Sequence, residues 1–209
     1  GAPGAPPVAL LHGFTGDATT WAPFADAWRA AGRRGDGRDA GAARGPGDGP
    51  AQGSGDDRGD LVAVDLVGHG RSPDPPDDAA YTLDAQAASV AAALAAVGGD
   101  RAVWVGYSMG GRVALTAAVA APERIAALVL VSTSPGLADA AARAARAADD
   151  AALADDVVGR GVAAFVERWA AHPLFATQAA LGERHAAAMR AQRRGNRAPA
   201  LAASLRAAG

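Results

Sequence analysis

The stretch Arg101 to Val113, R-A-V-W-V-G-Y-S-M-G-G-R-V, constrains the fold of this chain more than any other. Ala102 to Val105 is apolar without alternation, the pattern of a strand buried on both faces. Gly106-Tyr107-Ser108-Met109-Gly110 follows as a G-x-S-x-G motif, and Val113 to Val119 then reads as a helix. Strand, sharp turn and helix in that order predict a nucleophile elbow. Such a turn strains the backbone of Ser108 and leaves no room for bulk two residues to either side, which accounts for Gly106 and Gly110. The hydroxyl is lifted over a helix N-terminus, whose dipole favours developing negative charge. In a chain with 27 glycines the motif alone says little; its flanks give it meaning.

Before the elbow, Val8 to Leu11 is a short apolar strand that runs directly into His12-Gly13-Phe14-Thr15-Gly16-Asp17. His12 is expected to brace this loop through hydrogen bonds. From Thr20-Trp21 a helix is predicted with Trp21, Phe24, Ala25 and Trp28 on one core-facing side. Residues 33–60 hold no Val, Ile, Leu, Met or aromatic side chain, and too little can be buried there to offset ordering entropy. A disordered surface insertion is the expectation. Leu61 to Leu66 returns as a strand, followed by Val67-Gly68-His69-Gly70-Arg71-Ser72, and Thr82 is the predicted N-cap of a helix reaching about Val97. Ile125 to Val131 is the next strand. From Leu137 the chain is Ala-rich and helical, with arginines throughout.

Composition narrows the function. The 209 residues suffice for one domain with a sizeable core. A net charge of −2 points to neither nucleic acid nor a membrane surface as partner. The chain has no cysteine, which excludes disulfides and thiolate metal sites, and no metal or cofactor site is expected. No run approaches the roughly 18 apolar residues of a membrane span. Gly1 to Pro7 has no signal-peptide pattern, so a cytoplasmic protein acting on a small molecule is expected.

Together, H-G-F-T-G-D, D-L-V-G-H-G-R-S, G-Y-S-M-G-G-R and the helical region beyond resemble the α/β-hydrolase superfamily. Within it, three details resemble the 2-succinyl-6-hydroxy-2,4-cyclohexadiene-1-carboxylate synthases, lyases of menaquinone biosynthesis. They are Arg112 four residues after the serine, S-P-G-L followed by Arg143 and Arg146, and R-W-A-A-H-P-L-F with Trp169 and Phe175. The closing A-L-A-A-S-L-R-A-A-G is also similar to the end of that family's cap. The resemblance implies an α/β-hydrolase core over 1–136, interrupted by the insertion at 33–60, and a helical cap over 137–209.

It further implies elimination of pyruvate from a succinyl-cyclohexene carboxylate. Ser108 would be the catalytic serine, and the N–H groups of Phe14 and Met109 the oxyanion hole. Arg112, Arg146 and Arg193 would clamp substrate carboxylates, with Trp169 as an apolar wall and Tyr107 as a further substrate contact. Arg190 is an alternative to Arg193. The superfamily supplies its triad Asp and His after later strands, and neither is assigned here, so the chain reads as lacking the C-terminal part of the core and nearly inactive alone. Two other readings stand beside the lyase: a carboxylic-ester or C–C bond hydrolase on the same scaffold, and an inactive chain. Oligomeric state is left open.

Overall fold

The computed structural model describes residues 4–35 and 59–208. Its centre is a four-stranded, all-parallel sheet of β1 (Val8–Leu11), β2 (Leu61–Val64), β3 (Ala102–Tyr107) and β4 (Ile125–Val131), in the order β2-β1-β3-β4. Parallel strands need crossovers, and helices provide them. These are α1 (Ala22–Gly35) after β1, α2 (Leu83–Ala96) after β2, and α3 (Met109–Ala120) between β3 and β4. Every residue of β1 is buried, as its unbroken apolar run requires for a strand covered on both faces.

Helix α2 begins where its cap predicts: the Thr82 hydroxyl accepts from the Ala85 N–H. Helix α1 starts at Ala22, two residues later than Thr20, directly after a 3₁₀ turn over Ala18–Trp21 whose N-cap Asp17 side chain accepts from the Thr19 N–H. Trp21 and Trp28 pack against Val8, Leu10 and Val105, whereas Phe24 on the same stripe is 37% exposed. Residues 33–35 of the expected insertion continue α1; the remainder at 36–58 lies outside the described residues.

On the other side of the sheet, Trp104, Leu11 and Leu66 pack with α2 and α3 through Val90, Leu94, Val113 and Ala114. β4 is less well covered, with Val129, Leu130 and Val131 each about two-fifths exposed. After β4 the described chain is helical: α4 (Ala140–Ala170), a 3₁₀ segment over Pro173–Leu181, α5 (Glu183–Arg194) and α6 (Ala198–Ala208). Gly161, at φ 79°, breaks α4 into two arms. Val157, Phe165 and Val166 on those arms enclose Leu201 and Leu205 of α6 in a second core. Ala208, at the other end of α6, belongs to the core under the sheet, so α6 ties the helical layer to the sheet layer. Among the described residues no helix is long and apolar enough to cross a membrane.

Candidate active site

The turn at Ser108 is built from backbone constraints on every side. Ser108 sits at φ 52°, ψ −115°, between the last residue of β3 and the first of α3. A side chain there is strained by an amount on the order of 1–3 kcal/mol, and such strain persists only where surroundings enforce it. Here they do. The Ser108 N–H donates to Val131 O at 2.9 Å, and the Thr133 hydroxyl donates to Ser108 O at 3.1 Å, so the end of β4 grips the elbow from both sides. A Cβ at Gly106 would lie 2.4 Å from Gly110 O, and one at Gly110 would lie 2.5 Å from the carbonyl oxygens of Leu11 and His12. Gly110→Ala must therefore push α3 away from β1. A loss of more than about 3 kcal/mol is expected, read as a lowered urea midpoint with unchanged slope.

The loop after β1 lies against this elbow: a Cβ on Gly13 would stand 3.1 Å from Ser108 Cβ. Thr15, at φ 67°, turns the loop so that Phe14 faces the cavity. Neither the Phe14 nor the Met109 N–H donates to another group among the described residues, and the Ser108 hydroxyl has no partner there either. His12 braces the loop as expected. Its Nδ1–H donates to Gly13 O at 2.8 Å, which leaves Nε2 to accept the Leu66 N–H at 3.0 Å. Asp65 holds the next layer, accepting from the Ala18 and Arg71 N–H groups at 2.7 and 2.9 Å. Burial works against its charge, but those two bonds prevail and hold the carboxyl below its ordinary value.

His12 and His69 are both fully buried, with ring centroids 5.2 Å apart. Desolvation lowers the pKa of each, that of His69 to about 3, and their mutual repulsion adds to the shift at His69. The unfolded chain thus binds protons that the folded chain refuses. Stability is unaffected above the unfolded pKa of roughly 6.5 and falls as pH drops from there towards about 3. For His69 alone the loss between pH 6.5 and 4.5 is about 2–3 kcal/mol. Urea unfolding at those two pH values should show it, and a His69→Gln variant should show a shallower dependence.

A cavity of about 700 Å³ opens above the elbow. Phe14, Tyr107, Ser108, Met109, Arg112, Arg146, Trp169, Phe175 and Arg193, all singled out from the sequence, line it. Trp169 stacks on Phe165 at 5.5 Å and meets Phe14 edge-on at 5.6 Å, forming an apolar wall that joins α4 to the loop after β1. The three arginines differ in their surroundings. Arg112 donates from Nη1 to Ala208 O at 2.6 Å, at the C-terminal end of α6. Arg146 Nε lies 2.6 Å from Asp150 Oδ2. Arg193 is only 7% exposed, lies 5.0 Å over the Phe175 ring, and has Gln178 Oε1 at 3.4 Å. No carboxylate among the described residues pairs with it, and burial lowers its pKa.

Arg190, the alternative to Arg193, is engaged by Glu183 and is not part of the cavity wall. Arg143 donates to Leu137 O and Ala138 O at the start of α4. Sequence reasoning assigns no site role to Asp150, His172 or Gln178, all of which line the cavity. For Asp150 and His172 a signal existed: one lies four residues after Arg146, the other three after Trp169.

The helical layer is fastened to the loops after β1 and β2 by polar side chains. Gln192 donates to Asp17 Oδ1 at 2.6 Å, and Asn196 to Thr15 O at 2.8 Å. Arg197 donates to Gly70 O and Ser72 O and pairs with Asp74 at 2.9 Å.

A parallel sheet with an elbow serine at its C-terminal edge, under a helical layer, defines a class. The chain belongs to the α/β-hydrolase fold family, whose model matches residues 6–205. A Bacillus subtilis protein provisionally named 2-succinyl-6-hydroxy-2,4-cyclohexadiene-1-carboxylate synthase is 33% identical over 176 residues, covering 84% of this chain and 54% of its own length. The synthase of that name from Salmonella typhimurium is 29% identical, over 93% of this chain and 65% of its own length. The structure of MenH from S. aureus superposes with a TM-score of 0.79 at 26% identity, over 99% of this chain and 67% of that one. The chain thus spans about half to two thirds of these relatives.

Proposed function

We propose that the protein carrying this chain is a lyase that eliminates pyruvate from a succinyl-cyclohexene carboxylate, forming 2-succinyl-6-hydroxy-2,4-cyclohexadiene-1-carboxylate for menaquinone biosynthesis. Arg193 carries the reading: a buried guanidinium without a carboxylate partner, in the same cavity as Ser108. An uncompensated buried charge is costly, and an anionic ligand relieves it. Arg112 and Arg146 line the same cavity, so the site suits a substrate with more than one carboxylate. A neutral ester needs none of this.

In the reaction a proton is removed from carbon, its electron pair becomes a C=C bond, and a C–O bond breaks so that pyruvate leaves as its enolate, which then takes up a proton at carbon. Ser108 acts at the proton, relayed to a base that is not assigned among the described residues. The N–H groups of Phe14 and Met109 receive the negative charge that develops on oxygen, aided by the N-terminus of α3. Arg112, Arg146 and Arg193 hold carboxylates, Trp169 covers the ring, and Tyr107 borders the reacting end. We assign the described residues up to 136 to the core and 137–208 to the cap, with α6 packing against both.

Binding tests the reading at this cavity. Tricarballylate, a small tricarboxylate, should bind in calorimetry with an affinity that falls on Arg193→Met. No carboxylate binding, together with Ser108-dependent turnover of an aryl ester, would favour a hydrolase.

A further inference from the structure

Asp150 is unusual for a helix-surface ion pair. In an ordinary i, i+4 pair both side chains lie in water and the gain is about 0.3–0.5 kcal/mol. Here the Asp150 side chain is 4% exposed, while that of Arg146 is 54% exposed. The order is also the less favourable one, with the cation N-terminal to the anion along the helix. Support of α4 therefore does not explain the pair. The buried carboxylate faces the cavity, which both residues line. A second guanidinium lines the same cavity: Arg112, from α3, whose pKa is lowered first by burial and then by the charge of Arg146, with Asp150 opposing. Two cations from different elements and one buried anion thus share the wall of one cavity.

We propose that Asp150 is a positioning residue for the substrate clamp. It draws the half-exposed Arg146 inward over the cavity and keeps Arg112 and Arg146 together as one carboxylate-binding wall. The assignment rests on the polycarboxylate reading of the site. Its consequence runs against simple charge counting. Asp150→Asn makes the cavity one unit more positive, which by charge alone should tighten the binding of anions. Release of Arg146 into solvent weakens it instead.

The test is a double-mutant cycle on the full-length protein, with tricarballylate as the probe in calorimetry. Asp150→Asn should weaken binding about tenfold, and Asp150→Glu should recover part of the loss. In an Arg146→Ala background Asp150→Asn should cause little further loss, because the group through which it acts is gone. Circular dichroism of each variant separates this from unfolding, and a misfolded Asp150→Asn would leave the Asp150→Glu comparison to decide. Tighter or unchanged binding by a folded Asp150→Asn, losses that add in the cycle, or no recovery with Asp150→Glu would overturn the proposal. If the wild type binds no tricarboxylate, the functional reading falls and this assignment with it. If the wild type binds and the cycle is additive, only the role of Asp150 falls.

Discussion

Ser108→Ala is expected to lower kcat of the full-length enzyme by about 10⁴-fold while leaving KM for the substrate within a few-fold. On the proposed reading the hydroxyl serves reaction rather than binding, and arginines elsewhere in the cavity would hold the carboxylates. Ser108→Gly should be equally inactive yet more stable than the wild type by about 1 kcal/mol. Glycine adopts φ 52° without a Cβ penalty, so that variant removes the strain the elbow stores. Thermal unfolding and initial rates on the same three proteins check both statements. A stability gain with complete loss of turnover is the signature of strain held for function.

The second large effect is expected at Arg193. Replacement by Met, of similar length and without charge, should weaken binding of a polycarboxylate about 100-fold. Stability should rise by about 1 kcal/mol, because a buried cation without a carboxylate partner is removed, and loss of the contact over Phe175 offsets part of the gain. Arg190→Met, one turn away, should change neither quantity appreciably, since that side chain is engaged by Glu183 outside the cavity. Calorimetric titration and melting temperature provide the two readouts. A stabilised Arg193→Met with undiminished affinity would move the anion site elsewhere.

The parts of this molecule legible in the sequence are those fixed over short distances. An unbroken apolar run gave β1, and Thr82 marked the start of α2. The G-x-S-x-G spacing located the strained residue because sterics alone dictate glycine where a Cβ would meet a carbonyl within 2.5 Å. The cavity arginines were legible through resemblance, and the fold places them around the serine.

What sequence reasoning missed depends on long-range contacts between polar residues that look solvated in a helical pattern. Asn196 reaches Thr15 across 181 positions, and Gln192 reaches Asp17 across 175. Asp150 reads as one more charge on an Ala-rich helix, and only packing shows that its carboxylate is buried. The resemblance makes Arg112 a substrate clamp; the structure shows its Nη1 donating to Ala208 O, a contact that one-turn spacing from Ser108 does not reveal. That bond joins the elbow helix to α6, so Arg112 contributes to the fold as well as to the cavity.

The central claim is the reaction itself. It is tested most directly by giving the full-length protein the succinyl-cyclohexene carboxylate substrate and following pyruvate release. The account predicts stoichiometric pyruvate, formed rapidly by the wild type and abolished by Ser108→Ala. Absence of pyruvate from a folded protein that hydrolyses simple esters through Ser108 would contradict it.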